Sequence, residues 1–357
     1  MASSDDRETA GSNSEAYEPD PEDVDAVLDV TPHDIDTPEE VTFARNVFLP
    51  LSTACVNSCD YCAFYDEPGD ATLMTPEEVR DTLERGARAG CTEALFSFGT
   101  RAETYPGIRD QLDALGYDDT LDYLYDCCVE ALDIGILPHT NAGVMTRDEL
   151  ERLGDVNPSM GLMLETTATV KAHDGYATKK PERRLRAIRD AGRADVPYTT
   201  GILVGIGETP RDRAESLLAI RDVHREHGHI QEVIVQNVVP NERSDFARPS
   251  NETVRETVAM ARAALPDEVE VQVPPNLSRD LPSLVRSGAG DLGGVSPLTD
   301  DHINPDYDWP AVDRLRAVAD EAGAELSERL PVYPRYVDNG WLSTRVEEAV
   351  DEARKEF

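Results

Sequence analysis

The chain has 357 residues, enough for one large domain or two modest ones with a deep core. Acidic side chains number 71 against 34 basic ones, a formal net charge of −37. That balance excludes most nucleic-acid and anionic-membrane binders, whose affinity rests on cationic groups that release counterions.

Only four basic residues are lysine: Lys171, Lys179, Lys180 and Lys355. Acid excess with scarce lysine reads as a protein working in concentrated salt, where self-repulsion is screened. No apolar run approaches the roughly 18 residues a membrane span needs. The start, Met1-Ala2-Ser3-Ser4-Asp5-Asp6, lacks the basic and apolar regions of a signal peptide. Six cysteines then argue for metal or redox chemistry in a reducing, cytoplasmic compartment.

Residues 1–40 hold 14 acids and one arginine with little aliphatic clustering, and read as a disordered acidic tail. From residue 41 to 275 apolar strand-like runs alternate with amphipathic helices. The strand candidates are Val41–Leu51, Ala94–Gly99, Ile136–Ala142, Met160–Thr166, Tyr198–Gly205, Glu232–Val239 and Val269–Val273. Helix starts are marked at Thr75-Pro76-Glu77-Glu78, Thr146-Arg147-Asp148-Glu149 and Thr209-Pro210-Arg211-Asp212. Such alternation predicts an α/β fold, either a (β/α) barrel or a doubly wound sheet. Residues 276–357 carry few strand signals and read as a C-terminal extension packed on that core.

The strongest chemical signal is Cys55-Val56-Asn57-Ser58-Cys59-Asp60-Tyr61-Cys62, directly after the first strand. Three thiolates in eight residues can wrap one face of a metal centre. A zinc site wants paired cysteine units, and no second pair lies elsewhere. A four-iron cluster fits better, with three irons on cysteine and one left open.

This C-x3-C-x2-C loop, with Tyr61 before the last cysteine, resembles the signature of the radical S-adenosylmethionine family. The resemblance implies a partial TIM barrel of about six parallel strands. It also implies a [4Fe-4S] cluster on Cys55, Cys59 and Cys62, and S-adenosylmethionine chelated to the unique iron. One electron then yields a 5′-deoxyadenosyl radical, so a one-electron donor is an implied partner. By the same resemblance Tyr61, Glu103, Glu165, Gly205 and Gly207 are candidate cofactor contacts. Gly99-Thr100-Arg101-Ala102-Glu103 stands where the family often has Gly-Gly-Glu, and Glu165 closes the fourth strand. Gly201–Glu208 resembles the glycine-bearing fifth strand along the adenine.

Longer stretches narrow the resemblance, among them Arg45–Leu51, Ser159–Glu165, Thr199–Thr209, Val233–Asn237, Gly290–Thr299 and Arg329–Pro334. They are similar to the deazaflavin-forming, CofG-type branch, which acts in coenzyme F-420 biosynthesis. That branch implies a tyrosine–ribityl-diaminouracil adduct as substrate, ammonia release, and a CofH-type partner subunit supplying the adduct. Gln236, Asn237 and Asn276 are then candidate amide contacts to the uracil ring. The tyrosine-transferring step, a menaquinone-pathway step and a non-catalytic metal scaffold are the competing readings.

Three further signals are read as structural. Gly288-Ala289-Gly290-Asp291-Leu292-Gly293 matches a dinucleotide pattern but follows no convincing strand, and is taken as a mobile loop by the active site. His224, His227 and His229 suit a helix C-terminus. Lys180, Arg184 and Arg186 read as a solvated ion-pair face. The charge balance carries its own prediction: lowering salt from molar to about 0.1 M unscreens repulsion and lowers the melting temperature. A melting temperature flat across that range contradicts the halophilic reading.

Overall fold

Strand β1 (Glu40–Ser52) is the seam of the architecture in the computed structural model, which describes residues 17–244 and 246–356. Its C-terminal half pairs in parallel with β2 (Glu93–Phe98) and its N-terminal half with a strand near the chain's end. Between them follow β3 (Leu137–Asn141), β4 (Ser159–Gly161), β5 (Tyr198–Val204), β6 (Ile230–Asn237), β7 (Glu270–Gln272) and β8 (Asp291–Val295). Each pairs in parallel with the next, and β8 returns to β1, so eight strands close a barrel. A ninth strand, β9 (Glu325–Glu328), adds to the start of β1.

The helices pack outside for the reasons their sequences give. Pro76–Arg88 starts on a reciprocal capping box between Thr75 and Glu78, and buries Val79 and Leu83. Arg147–Gly154 and Pro210–His227 start the same way, on Thr146 with Glu149 and on Thr209 with Asp212. Among the described residues no helix is long and apolar enough to cross a membrane.

Four expectations are corrected. The barrel has eight strands, not about six. The missed β8 is Asp-Leu-Gly-Gly-Val, whose glycines hide it from an apolar-run reading; it is buried sheet, not a mobile loop. A boundary at residue 275 therefore cuts through the barrel. The acidic tail also ends sooner than expected. Its first sixteen residues lie outside the described ones, but Pro21–Leu28 is a helix with Val24 and Val27 buried. Arginines on the neighbouring helix neutralise it, Arg221 with Asp23 and Arg211 with Asp25, both at 2.8 Å. Composition alone could not show that its cationic partners lie two hundred residues away.

The chain after β9 closes the barrel's N-terminal end. Arg329 meets Asp291 (Nε to Oδ2, 2.5 Å) and Glu232 (2.8 Å), and Thr199 donates to the other oxygen of Glu232. The Pro331 carbonyl accepts from Ser159 and Gln231. Glu232 and Asp291 thus share one guanidinium, and Glu93 lies buried close enough to feel the charge of all three. Burial, with Glu232 and Asp291 adding to it against the pull of Arg329 and a hydrogen bond from Asn46, pushes the Glu93 carboxyl up to about 7.

A carboxyl whose pKa rises on folding costs stability once the pH exceeds its unfolded value. Wild-type stability should fall by roughly 3 kcal/mol from this group between about pH 4.5 and 7. Glu93→Gln should match wild type at pH 4.5 and exceed it by about that amount at pH 8. Urea melts at the two pH values check this; a pH-independent difference contradicts it.

Candidate active site

The cysteine loop leaves β1 and folds back over the end of β2. Close approach is possible because residue 99 is glycine: a Cβ there would stand 2.2 Å from the Ala54 carbonyl oxygen and 2.3 Å from Cys55 Cβ. The Val56 amide donates to the Thr100 carbonyl, and Tyr105 donates to that of Cys55 at 2.7 Å. Cys59 is buried, Cys55 and Cys62 half-buried, and all three thiols are free. Burial pushes the Cys59 thiol up to about 11 and raises that of Cys62.

All three cysteines line one cavity of about 350 Å³ that runs down the barrel to Arg329 and Pro331. Among the described residues no three His, Cys, Asp or Glu side chains converge as a single ion would require. Three free thiols lining one cavity offer the three ligands that a four-iron cluster takes from protein, and the cavity continues beyond them.

Glu165 anchors the loop. It is buried, at φ +71°, in the left-handed region. Two backbone bonds to β5 hold it there: its amide donates to the Gly201 carbonyl, and its carbonyl accepts from Leu203, both at 2.9 Å. Lys179 Nζ donates to Oε1 at 2.6 Å, with Arg184 3.6 Å away. Tyr61 donates to Oε2 at 2.9 Å, and His173 Nε2 lies 3.0 Å from both. Burial by itself would raise this carboxyl. Arg184, Lys179 and the His173 hydrogen bond together outweigh it and hold the group well below the usual carboxylate range. Burial and the adjacent Glu165 charge raise the Tyr61 phenol, which stays a donor.

The segment bearing Lys179 also straps the cysteine loop from outside. Tyr176 donates to the Ser58 carbonyl and Thr178 to Asn57 Oδ1, each at 2.8 Å. Sequence reasoning missed Lys179 and His173, and misread Arg184 as solvated when it is buried. A signal was present: three of the chain's four lysines fall at 171, 179 and 180.

Of the expected contacts, Cys55, Cys59, Cys62, Tyr61, Glu165, Gln236, Asn237 and Asn276 meet in the cavity. Glu103 does not; it pairs with Arg101 and accepts from Thr120. Gly205 and Gly207 form a turn whose amides at 205 and 206 donate to Glu208, and neither lines the cavity. Asn237 is spent on the backbone, donating to the Val238 and Leu277 carbonyls. Asn276 donates to Asp301 and Tyr307 but keeps Oδ1 unpartnered. His224 and His229 are structural: His224 Nδ1 accepts from the Ile230 amide, and His229 Nε2 meets the Ile188 carbonyl.

Comparison with known proteins agrees with this geometry. Residues 49–220 match the model of the Radical SAM superfamily. A 7,8-didemethyl-8-hydroxy-5-deazariboflavin synthase of Halobacterium salinarum is 56% identical over 337 residues, 92% of each chain. One of Methanosphaerula palustris is 56% identical over 310 residues, covering 86% of this chain and 94% of its own. Among solved structures, the FeFe-hydrogenase maturase HydG of Carboxydothermus hydrogenoformans superposes with TM-score 0.65 at 16% identity, over 94% of this chain and 82% of that one. Methylornithine synthase gives 0.60 at 16% identity, over 86% and 88%.

Glu165→Gln leaves buried cations without their counter-charge, and should cost roughly 3–5 kcal/mol in urea melts. Because the carboxyl's pKa is depressed on folding, its contribution is present above about pH 4.5 and lost on further acidification. Wild type should show that acid loss and Glu165→Gln should not; equal acid sensitivity contradicts the assignment.

Proposed function

The chain belongs to the Radical SAM superfamily and to the family of 7,8-didemethyl-8-hydroxy-5-deazariboflavin synthases, and we propose that it forms the deazaflavin by a carbon–nitrogen lyase reaction that releases ammonia. The substrate in this reading is the tyrosine–ribityl-diaminouracil adduct, supplied by a CofH-type partner subunit, with a separate one-electron donor. The observation that carries it is the placement of three free thiols at the mouth of a closed barrel, above a cavity lined with amides.

When bound, a [4Fe-4S] cluster with S-adenosylmethionine supplies a primary carbon radical that removes a hydrogen atom from the substrate. Cys55, Cys59 and Cys62 would hold the cluster, and Gly99 lets their loop lie against the barrel end. Tyr61 and the 171–180 segment keep that loop in place through Glu165. The floor of Arg329 and Pro331 shuts the far end against water, which protects a radical from side reactions. Phe48, Leu95, Met163 and Leu203 give the cavity apolar walls for a flat ring system, and Gln236 adds a polar group near the mouth.

Reduced protein given the adduct and S-adenosylmethionine should produce deazaflavin fluorescence without a partner subunit. Alanine at any one of Cys55, Cys59 or Cys62 should abolish it and 5′-deoxyadenosine formation together. Adduct formed from tyrosine plus the diaminouracil, with no fluorescence from the preformed adduct, favours the tyrosine-transferring reading and overturns this one.

A further inference from the structure

Asn46 lies on β1 inside the barrel, 1% exposed; its Oδ1 has no hydrogen-bond partner, and its Nδ2 has only the Glu93 carboxyl beside it, leaving one N–H to spare. Across β8, Oε1 of Gln272 on β7 is also buried and unpartnered. Both residues line the cavity. Buried amides are nearly always satisfied, so a side chain that keeps an acceptor and one N–H free and faces a cavity points to a missing polar ligand.

The strand between them is cleared for these amides. A Cβ on Gly293 would stand 1.9 Å from Gln272 Nε2, and one on Gly294 would stand 2.2 Å from Asn46 Nδ2. Two adjacent glycines therefore make the room that the two amides fill. Glu93, paired with Asn46 across β1 and β2, stands beside it at the cavity's deep end.

We propose that Asn46, assisted by Gln272, reads the cyclic imide edge of a pyrimidine-dione. A carboxamide offers one donor and one acceptor side by side, which match an adjacent ring N–H and C=O in two parallel hydrogen bonds. Either orientation of the Asn46 amide presents that pair. Gln272 Oε1 accepts a second N–H of the same ring. Ribityl hydroxyls do not demand such a pair, since each can rotate to meet any lone donor or acceptor. The assignment rests on the deazaflavin-forming reading and deepens it, moving the pyrimidine from Asn237 at the strand ends to the middle of the barrel.

The test is equilibrium binding to the cluster-loaded, unreduced protein, with two ligands: the tyrosine–pyrimidine adduct and its imide-N-methyl analogue. Wild type should prefer the parent by at least about tenfold, the order expected for a buried polar group left unpaired. Asn46→Leu should bind both within about twofold. Gly294→Ala keeps Asn46 but displaces its amide, and should lose the same preference. Wild type that binds both ligands equally overturns the proposal without recourse to any variant. So does a folded Asn46→Leu protein that keeps the tenfold preference. If wild type makes deazaflavin from the adduct in either case, only the Asn46 assignment falls. Wild type that binds neither ligand and makes no deazaflavin overturns the functional reading, and this proposal with it.

Discussion

A carboxylate out of reach of water must be neutralised or take up a proton, and Glu165 meets that demand with Lys179 and Arg184, beside a hydrogen bond from His173. The constraint reaches further than one ion cluster. Tyr61 sits between two cysteines and donates to the same carboxylate, so the position of the cysteine loop is tied to the charge at the end of the fourth strand region. Lys179 and His173 come from the segment that lies over the loop and Arg184 from the helix after it, so one carboxylate holds strand, loop and strap together. The left-handed backbone at Glu165 is a local cost that two backbone bonds to β5 help to offset.

A second ionic group works at the opposite end. Arg329 with Asp291 and Glu232 makes a floor, while the cysteines and Pro274-Pro275 frame a mouth. Between them the wall changes character from charged, to amide, to apolar and sulfur. That gradient suits a ligand with a polar heterocycle at one end and a reacting carbon near the thiols. The eight-strand closure makes it possible, since an open sheet would leave the carboxyls of Glu93 and Glu232 in contact with water.

What could be read from the sequence follows from how local each signal is. The cysteine spacing, the capping boxes and seven of the nine strands are written in contiguous residues, although β4 ends at Gly161, short of the expected Thr166, and leaves Glu165 beyond the strand. Strand β8 was invisible because its glycines serve the neighbours' side chains rather than its own burial. Strand β9, Glu-Leu-Ser-Glu, is half-exposed and polar, with no run to find. At the site, Tyr61 and Glu165 were legible as a tyrosine among cysteines and a carboxylate ending an apolar run. Their partners Lys179, His173 and Arg184 were not, because a contact that spans a turn of chain leaves no spacing rule. Glu103, Gly205 and Gly207 matched a pattern by position, yet their side chains or backbone serve local turns.

The floor of the barrel comes from the last tenth of the chain, whereas the cysteine loop comes from its first fifth. A ribosome therefore delivers the thiols long before Arg329 and Pro331 emerge to shut the opposite end. Without those two residues the far end of the barrel would lie open, and the carboxyls of β2 and β6 would face water. The chamber behind the cysteine loop is thus completed by residues more than 260 positions further along the chain.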